Sequence, residues 1–209
     1  MSKSIGKYKL LPVFLTLLLL ISMGFTTQVK ANESGGPSGS LKPVLDELIS
    51  ILSDDGLKGD NMKVERRQKI MSSIASGFDF REMSRRVLGR TWNGISEEQK
   101  DYFVLQMTKL LENVYIGKLE SYSGQTVEFV GERIKGNRAQ VTTLIENNGA
   151  KLPVHYIMQK AGTTWMVYDI NIEGVSLIRN YMEQFKSILR NEQFEGLIKV
   201  IEEKNKSFL

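Results

Sequence analysis

The chain has 209 residues, 41% of them hydrophobic, with 28 Lys and Arg against 24 Asp and Glu. That length points to one globular domain. The absence of cysteine excludes a disulfide framework, a thiolate metal centre and a lipid-modified cysteine.

The first predicted element is a leader. Lys3, Lys7 and Lys9 make a basic start, "LLPVFLTLLLLISMGF" is an apolar run, and Val29–Ala31 reads "VKA". This is the pattern of a secretory signal peptide over residues 1–31, cleaved after Ala31. The apolar run falls short of the roughly 20 residues that span a bilayer, which favours cleavage over anchoring. Lys30 leaves too, and residues 1–31 hold no Asp or Glu, so the exported chain carries 24 positive against 24 negative side chains. A neutral domain has no electrostatic reason to bind nucleic acid or to be held on anionic lipid. The next stretch, "NESGGPSGS" over residues 32–40, is polar and rich in Gly and Ser, and is expected to be disordered.

The domain itself is expected over residues 41–205, and its first half is helical. Leu41, Val44, Leu45, Leu48, Ile49 and Leu52 recur at helical spacing, then Val64, Ile70, Met71 and Ile74 do so up to Gly77. Asp79 caps a short helix with Phe80, Met83 and Val87 inward, closed at Gly89. "SEEQ" at Ser96–Gln99 is a capping box. It opens the longest helix, which carries Phe103, Met107, Leu110, Leu111, Val114, Tyr115 and Tyr122 on one broad face.

The second half alternates like strands, near 126–134, 138–146, 151–160 and 164–173. "KGN", "NNG" and "KAG" separate them as hairpin turns. Short links predict a sequential antiparallel meander. Two helices close the chain, one with Leu177, Tyr181, Phe185 and Ile188, the other capped by Asn191 with Phe194, Leu197, Ile198 and Ile201 inward. Helices, then strands, then helices predict an α+β fold: about six helices laid on one face of a twisted antiparallel sheet of about four strands.

No catalytic set emerges. The single His155 does not build a multi-histidine metal site, and "EGVSL" lacks the second glycine of a nucleophile elbow. Asp169 and Glu173 are the best carboxylate pair, but on a strand they stand about 13 Å apart at ~3.3 Å per residue, beyond the ~10 Å that glycoside hydrolysis tolerates. No catalytic residue, metal ligand or cofactor is expected. What remains is apolar surface. Val127 and Phe129, Val141 and Ile145, and Val154, Tyr156 and Met158 each share a strand face, and alternation places Met166, Tyr168, Ile170 and Ile172 together, opposite Trp165 and Val167. Periodicity does not separate a filled core from a cavity lined by the same residues.

Three segments carry a resemblance: "FDFREMSRRVLGRTW" (Phe78–Trp92), the "SEEQKDYFVLQMTKLLENVY" that soon follows, and "WMVYDINIEGVSLIRNYMEQF" (Trp165–Phe185). Together they resemble the MlaC family of periplasmic phospholipid-binding proteins, also known as toluene-tolerance auxiliary proteins, over roughly residues 41–204. The most specific positions are Trp165, Asp169, Glu173, Gly174, Ser176, Asn180, Tyr181 and Phe185.

The resemblance implies a strongly curved antiparallel sheet, partly like the NTF2-like cone, wrapped by helices around an apolar cavity. It implies a soluble periplasmic carrier that holds a phospholipid by its acyl tails. The carrier shuttles it between an outer-membrane lipoprotein–porin complex and an inner-membrane ABC transporter with an MCE-domain subunit, maintaining outer-membrane lipid asymmetry. It implies no enzymatic reaction, no cofactor beyond the cargo lipid, and a monomer. Under that reading the tail-lining set is Met107, Leu111, Val114, Tyr115, Val127, Phe129, Val141, Ile145, Val154, Tyr156, Met158, Met166, Tyr168 and Ile170. The motif from Trp165 to Phe185 is then architectural, the strand, corner and helix that close the cavity.

Two other readings compete. One is an enzyme on an NTF2-like cone using Tyr156, Tyr168 and Asp169 on a hydrophobic substrate. The other is a periplasmic chaperone with a wide exposed apolar patch.

Overall fold

The computed structural model describes residues 35–147 and 149–208. The leader expected over 1–31 lies outside the described residues. Among the described residues four α-helices come first: α1 (Pro37–Ser53), α2 (Lys63–Gly77), α3 (Phe80–Leu88) and α4 (Glu97–Glu120). Strands β1 (Thr126–Lys135), β2 (Arg138–Asn147), β3 (Ala150–Ala161), β4 (Thr164–Ile172) and β5 (Val175–Ser176) follow, then α5 (Leu177–Asn191) and α6 (Gln193–Lys206).

Helix α1 starts at Pro37, so residues 37–40 belong to a helix rather than to a disordered tail. Proline is preorganised for the first helical position, where its missing N–H costs nothing. Two bonds then fasten that first turn to the sheet. The Ser38 N–H donates to Glu132 Oε2 at 2.7 Å, and the Ser40 hydroxyl oxygen accepts from the Trp165 N–H at 3.3 Å. Helix α2 packs so closely on α1 that a Cβ at Gly77 would stand 2.7 Å from a methyl of Val44. Val64, expected inward, is 71% exposed in the first turn of α2.

Helices α3 and α4 begin as their caps dictate. The Asp79 carboxylate accepts from the Glu82 N–H at 2.8 Å, and Ser96 and Gln99 form both halves of the capping box. Asn191, by contrast, is the last residue of α5 and not the cap of α6, whose N-cap is Glu192.

The sheet runs β1-β2-β3-β4-β5, antiparallel at every step. The fifth strand is the difference from the expected four. Glu173 and Gly174 adopt φ of 52° and 83°, the left-handed pair of a two-residue primed hairpin, and Ile172 then faces Val175 across it.

Two bulges curve the sheet. Val130 is the extra residue in β1 and Tyr168 the extra residue in β4. A bulge bends its strand and sharpens the twist. The one in β4 also overturns the expected alternation. Trp165 and Val167 share a face with Ile170 and Ile172, while Met166 falls on the opposite face with Ile157 and Gln159. The upper edge of β4 is covered by chain: Phe78 bridges to Val167, whose carbonyl accepts from the Asp79 N–H at 2.8 Å.

Among the described residues, α1, α2, α3 and α5 contact the sheet on the face that carries Val141, Val154, Tyr156, Met158 and Val167, and α4 and α6 pack on those helices to complete one apolar core. The other face is more polar. There His155 Nδ1 sits 3.0 Å from Thr142 Oγ1 and 3.3 Å from Gln140 Nε2, a row of neighbouring side chains on one sheet surface. Among the described residues no group of His, Asp and Glu could hold a metal ion.

Candidate ligand cavity

The core does not fill the space between α1 and the sheet. A cavity of about 480 Å³ remains, within the ~300–1,000 Å³ range of small-molecule sites. Leu45, Leu48, Ile49 and Leu52 of α1 form its roof. Val127 of β1, Ile145 of β2 and Leu152 and Tyr156 of β3 form its floor. The register explains why these residues meet: Val127 pairs with Ile145 and Ile145 with Leu152, so three adjacent strands present apolar side chains in one row. The last turn of α4 and the loop after it supply Lys118, Leu119, Ser121, Tyr122 and Gln125. Tyr122 braces that loop by donating to the Gln125 carbonyl at 3.0 Å.

The polarity is graded along the cavity. Lys118, Ser121 and Ala150 are exposed, whereas Leu45, Leu52 and Tyr156 are buried. The exposed Lys151 lies near this mouth between Glu146 and Glu128, at 3.7 and 4.0 Å. At the deep end burial pushes the Tyr156 hydroxyl up from its usual 10.0. The neighbouring Thr143 hydroxyl weighs against that push, yet makes no hydrogen bond of normal geometry. The lining is mostly apolar, with Lys118, Ser121, Tyr122 and Gln125 supplying its polar side chains on one side and the Tyr156 hydroxyl on the other.

Of the tail-lining residues expected from sequence, Val127, Ile145 and Tyr156 line the cavity. Phe129, Val141, Val154, Met158 and Ile170 share its floor face but belong to the surrounding core. Met107 and Leu111 are buried in the core along α4, and Val114 and Tyr115 pack against it. Met166 faces away from the cavity, and Tyr168 is drawn to α3, where the Arg86 guanidinium stacks 3.7 Å from its ring centroid. The α1 roof and Leu152 were missed. Their signal was present, since Leu45, Leu48, Ile49 and Leu52 form a broader stripe than one seam needs.

The Trp165–Phe185 motif builds the corner beside this cavity. Asp169 Oδ2 accepts from the Ser176 hydroxyl at 2.6 Å and Oδ1 accepts from the Ile178 N–H at 3.0 Å. Ser176 in turn caps α5 by accepting from the Arg179 N–H at 3.0 Å. Both oxygens of Asp169 are therefore engaged at a helix start. Glu173 and Asn180 are exposed, while Trp165, Tyr181 and Phe185 are buried, the last two with ring centroids 5.6 Å apart. The arginines of α3 are paired. Arg81 bonds Glu97 at 2.6 Å and also Asp101, and Arg85 and Arg86 both bond Glu82, at 2.5 and 2.8 Å.

A curved open antiparallel sheet, roofed by helices over an apolar cavity with a polar mouth, defines an α+β protein of the hydrophobic-ligand-binding class. The family described as MlaC protein matches residues 42–203, and the chain belongs to that family. It is 22% identical over 189 residues to the intermembrane phospholipid transport system binding protein MlaC of Haemophilus influenzae, covering 88% of each chain. Its structure is similar to that of the phospholipid-binding protein from Ralstonia solanacearum in complex with a phospholipid, with a TM-score of 0.74 and 28% identity over 82% of this chain and 98% of that one. Among the described residues no helix is long and apolar enough to cross a membrane.

Proposed function

We propose that this protein is a periplasmic phospholipid carrier, and that it works by holding acyl chain in the cavity between α1 and the sheet. The observation that carries the reading is the cavity itself: about 480 Å³ between α1 and the sheet, lined mostly by apolar side chains, with Lys118, Ser121 and Gln125 among its few polar ones. The two relatives, one named as an intermembrane phospholipid transport system binding protein and the other as a phospholipid-binding protein, support it.

The size of the cavity refines the reading. If a methylene takes about the ~30 Å³ that a water takes in the liquid, 480 Å³ holds one chain of about sixteen carbons. Burying such a chain is worth about 13 kcal/mol at ~0.8 kcal/mol per methylene. A second chain needs room beyond this cavity. A bilayer offers the same gain per methylene, so transfer between membrane and carrier is close to isoenergetic and its direction is imposed by partners. Those partners are an outer-membrane lipoprotein–porin complex and an inner-membrane ABC transporter with an MCE-domain subunit. The protein acts as an exported monomer, performs no reaction, takes no cofactor beyond the cargo and binds no nucleic acid.

Native mass spectrometry of the mature protein, followed by organic extraction, tests this. A discrete added mass that extracts as phospholipid, about one per chain, is the expected result. A bare polypeptide that also takes up no lipid from liposomes overturns it.

A further inference from the structure

We infer that the ring of Tyr156 is the stop at the deep end of the cavity and sets the length of acyl chain the protein accepts. The inference rests on the lipid-carrier reading. Along β3 the exposed Ala150, the half-buried Leu152 and Tyr156, 6% exposed, line the cavity, while Val154, between the last two on the same face, is buried in the core, so the long Tyr156 side chain rather than the strand itself reaches the space. No residue of β3 beyond Tyr156 lines it. The roof stops at the same depth. Leu45 is the lining residue of α1 nearest its N-terminus, and Leu41, one turn before it, does not line the cavity and is fully buried.

Past Tyr156 the same face of the sheet is solid. Met158 follows on β3, with Ala139 and Val167 beside it across the two neighbouring strands, and all three are buried in the core. The phenol ring therefore stands between open space and packed protein. A chain too long for the space leaves carbons at the mouth, in water, and each costs about fourfold in affinity at ~0.8 kcal/mol per methylene. Interiors are packed to crystal-like density, so the wall behind the ring does not yield to an extra methylene without strain.

The test offers lipid-stripped protein an equal mixture of phosphatidylethanolamines from dilauroyl to diarachidoyl. The acyl lengths retained are read by mass spectrometry after extraction. Tyr156→Ala opens roughly the space of three methylenes at ~30 Å³ each, and the retained distribution is expected to move up by about that many carbons. Leu152→Trp fills the channel nearer the mouth and is expected to move it down. Circular dichroism checks that each variant is folded. If Tyr156→Ala fails to fold, Leu152→Trp decides, and an unmoved distribution overturns the stop. Wild-type protein that loads lipid while both variants keep its length profile overturns the stop and leaves the carrier reading standing. Wild-type protein that loads none of the mixture overturns both.

Discussion

The carboxylate of Asp169, near the end of β4, accepts the hydroxyl proton of Ser176, the N-cap of α5, at 2.6 Å. With the Ile178 N–H on its other oxygen, Asp169 locks the strand-to-helix corner from the strand side while Ser176 locks it from the helix side. Asp169→Ala leaves a helix-start N–H and a hydroxyl without their acceptor. The expected cost is about 2–3 kcal/mol for a lost charge-assisted pair of bonds, or a melting point lower by roughly 4–12 °C in a domain of this size. Urea unfolding reads it directly. A variant as stable as the parent would show that the corner is held by something else.

Acid should weaken the α3 corner. Burial opposes ionisation of Glu82, but its hydrogen bonds and ion pairs with Arg85 and Arg86 win and hold the carboxyl below its usual 4.5. A lowered folded value means that the stabilisation is complete above the unfolded value and is lost as pH falls through the folded one. The window lies below about pH 4.5. Arg86 also stacks on Tyr168, so protonating Glu82 loosens the platform over the β4 bulge. Glu82→Gln should lower stability at neutral pH and flatten the acid limb of the stability curve. An acid limb as steep as the parent's would assign the loss to other carboxylates.

Much of this fold was legible because its signals are local. The Ser96 and Asp79 caps, the hairpin turns and the helical stripes each specify an element from a few neighbouring residues. The cavity was legible only in part, and two physical reasons account for that. The stripe Leu45, Leu48, Ile49 and Leu52 reads the same whether a helix seals a core or roofs a void, because burial by protein and burial by ligand select the same side chains. The Tyr168 bulge carries no glycine or proline to announce it, yet it shifts every later position of β4 to the other face. Unbroken alternation puts Met166 on the floor and Trp165 and Val167 on the opposite face, and the bulge reverses that.

Base should unfold the protein through its buried phenols. Burial pushes the Tyr181 hydroxyl up to about 12, with the nearby Tyr115 adding to the push. The unfolded chain ionises near its ordinary 10.0, so between pH 10 and about 12 the folded state retains a proton that the unfolded state has released. Stability contributed by the neutral phenol is complete below pH 10 and drains away as pH rises through the folded value. Tyr181→Phe removes that proton from the balance. Its stability should fall less steeply across the window, although Tyr115 and Tyr156, also raised by burial, keep some slope. An unchanged slope in the variant would show that Tyr181 ionises without unfolding.

A charge in the roof should separate lipid loading from folding. Leu48 is half-buried, lines the cavity and sits mid-helix in α1, where lysine has about the same helix propensity. In Leu48→Lys the long side chain can reach water at the open end, so the empty protein should lose only about 1 kcal/mol, as a partly exposed substitution does. In the loaded protein the acyl chain fills that path to water, and the ammonium is left with neither water nor a partner. Lipid that binds only the folded state stabilises the parent by about 2.7–4 kcal/mol at 100–1,000 times its dissociation constant, a melting shift of roughly 5–16 °C. That shift between stripped and loaded protein should vanish in the variant, and extraction should recover no phospholipid from it. A Leu48→Lys protein that still carries lipid and keeps the full shift would place the tails somewhere other than beneath α1.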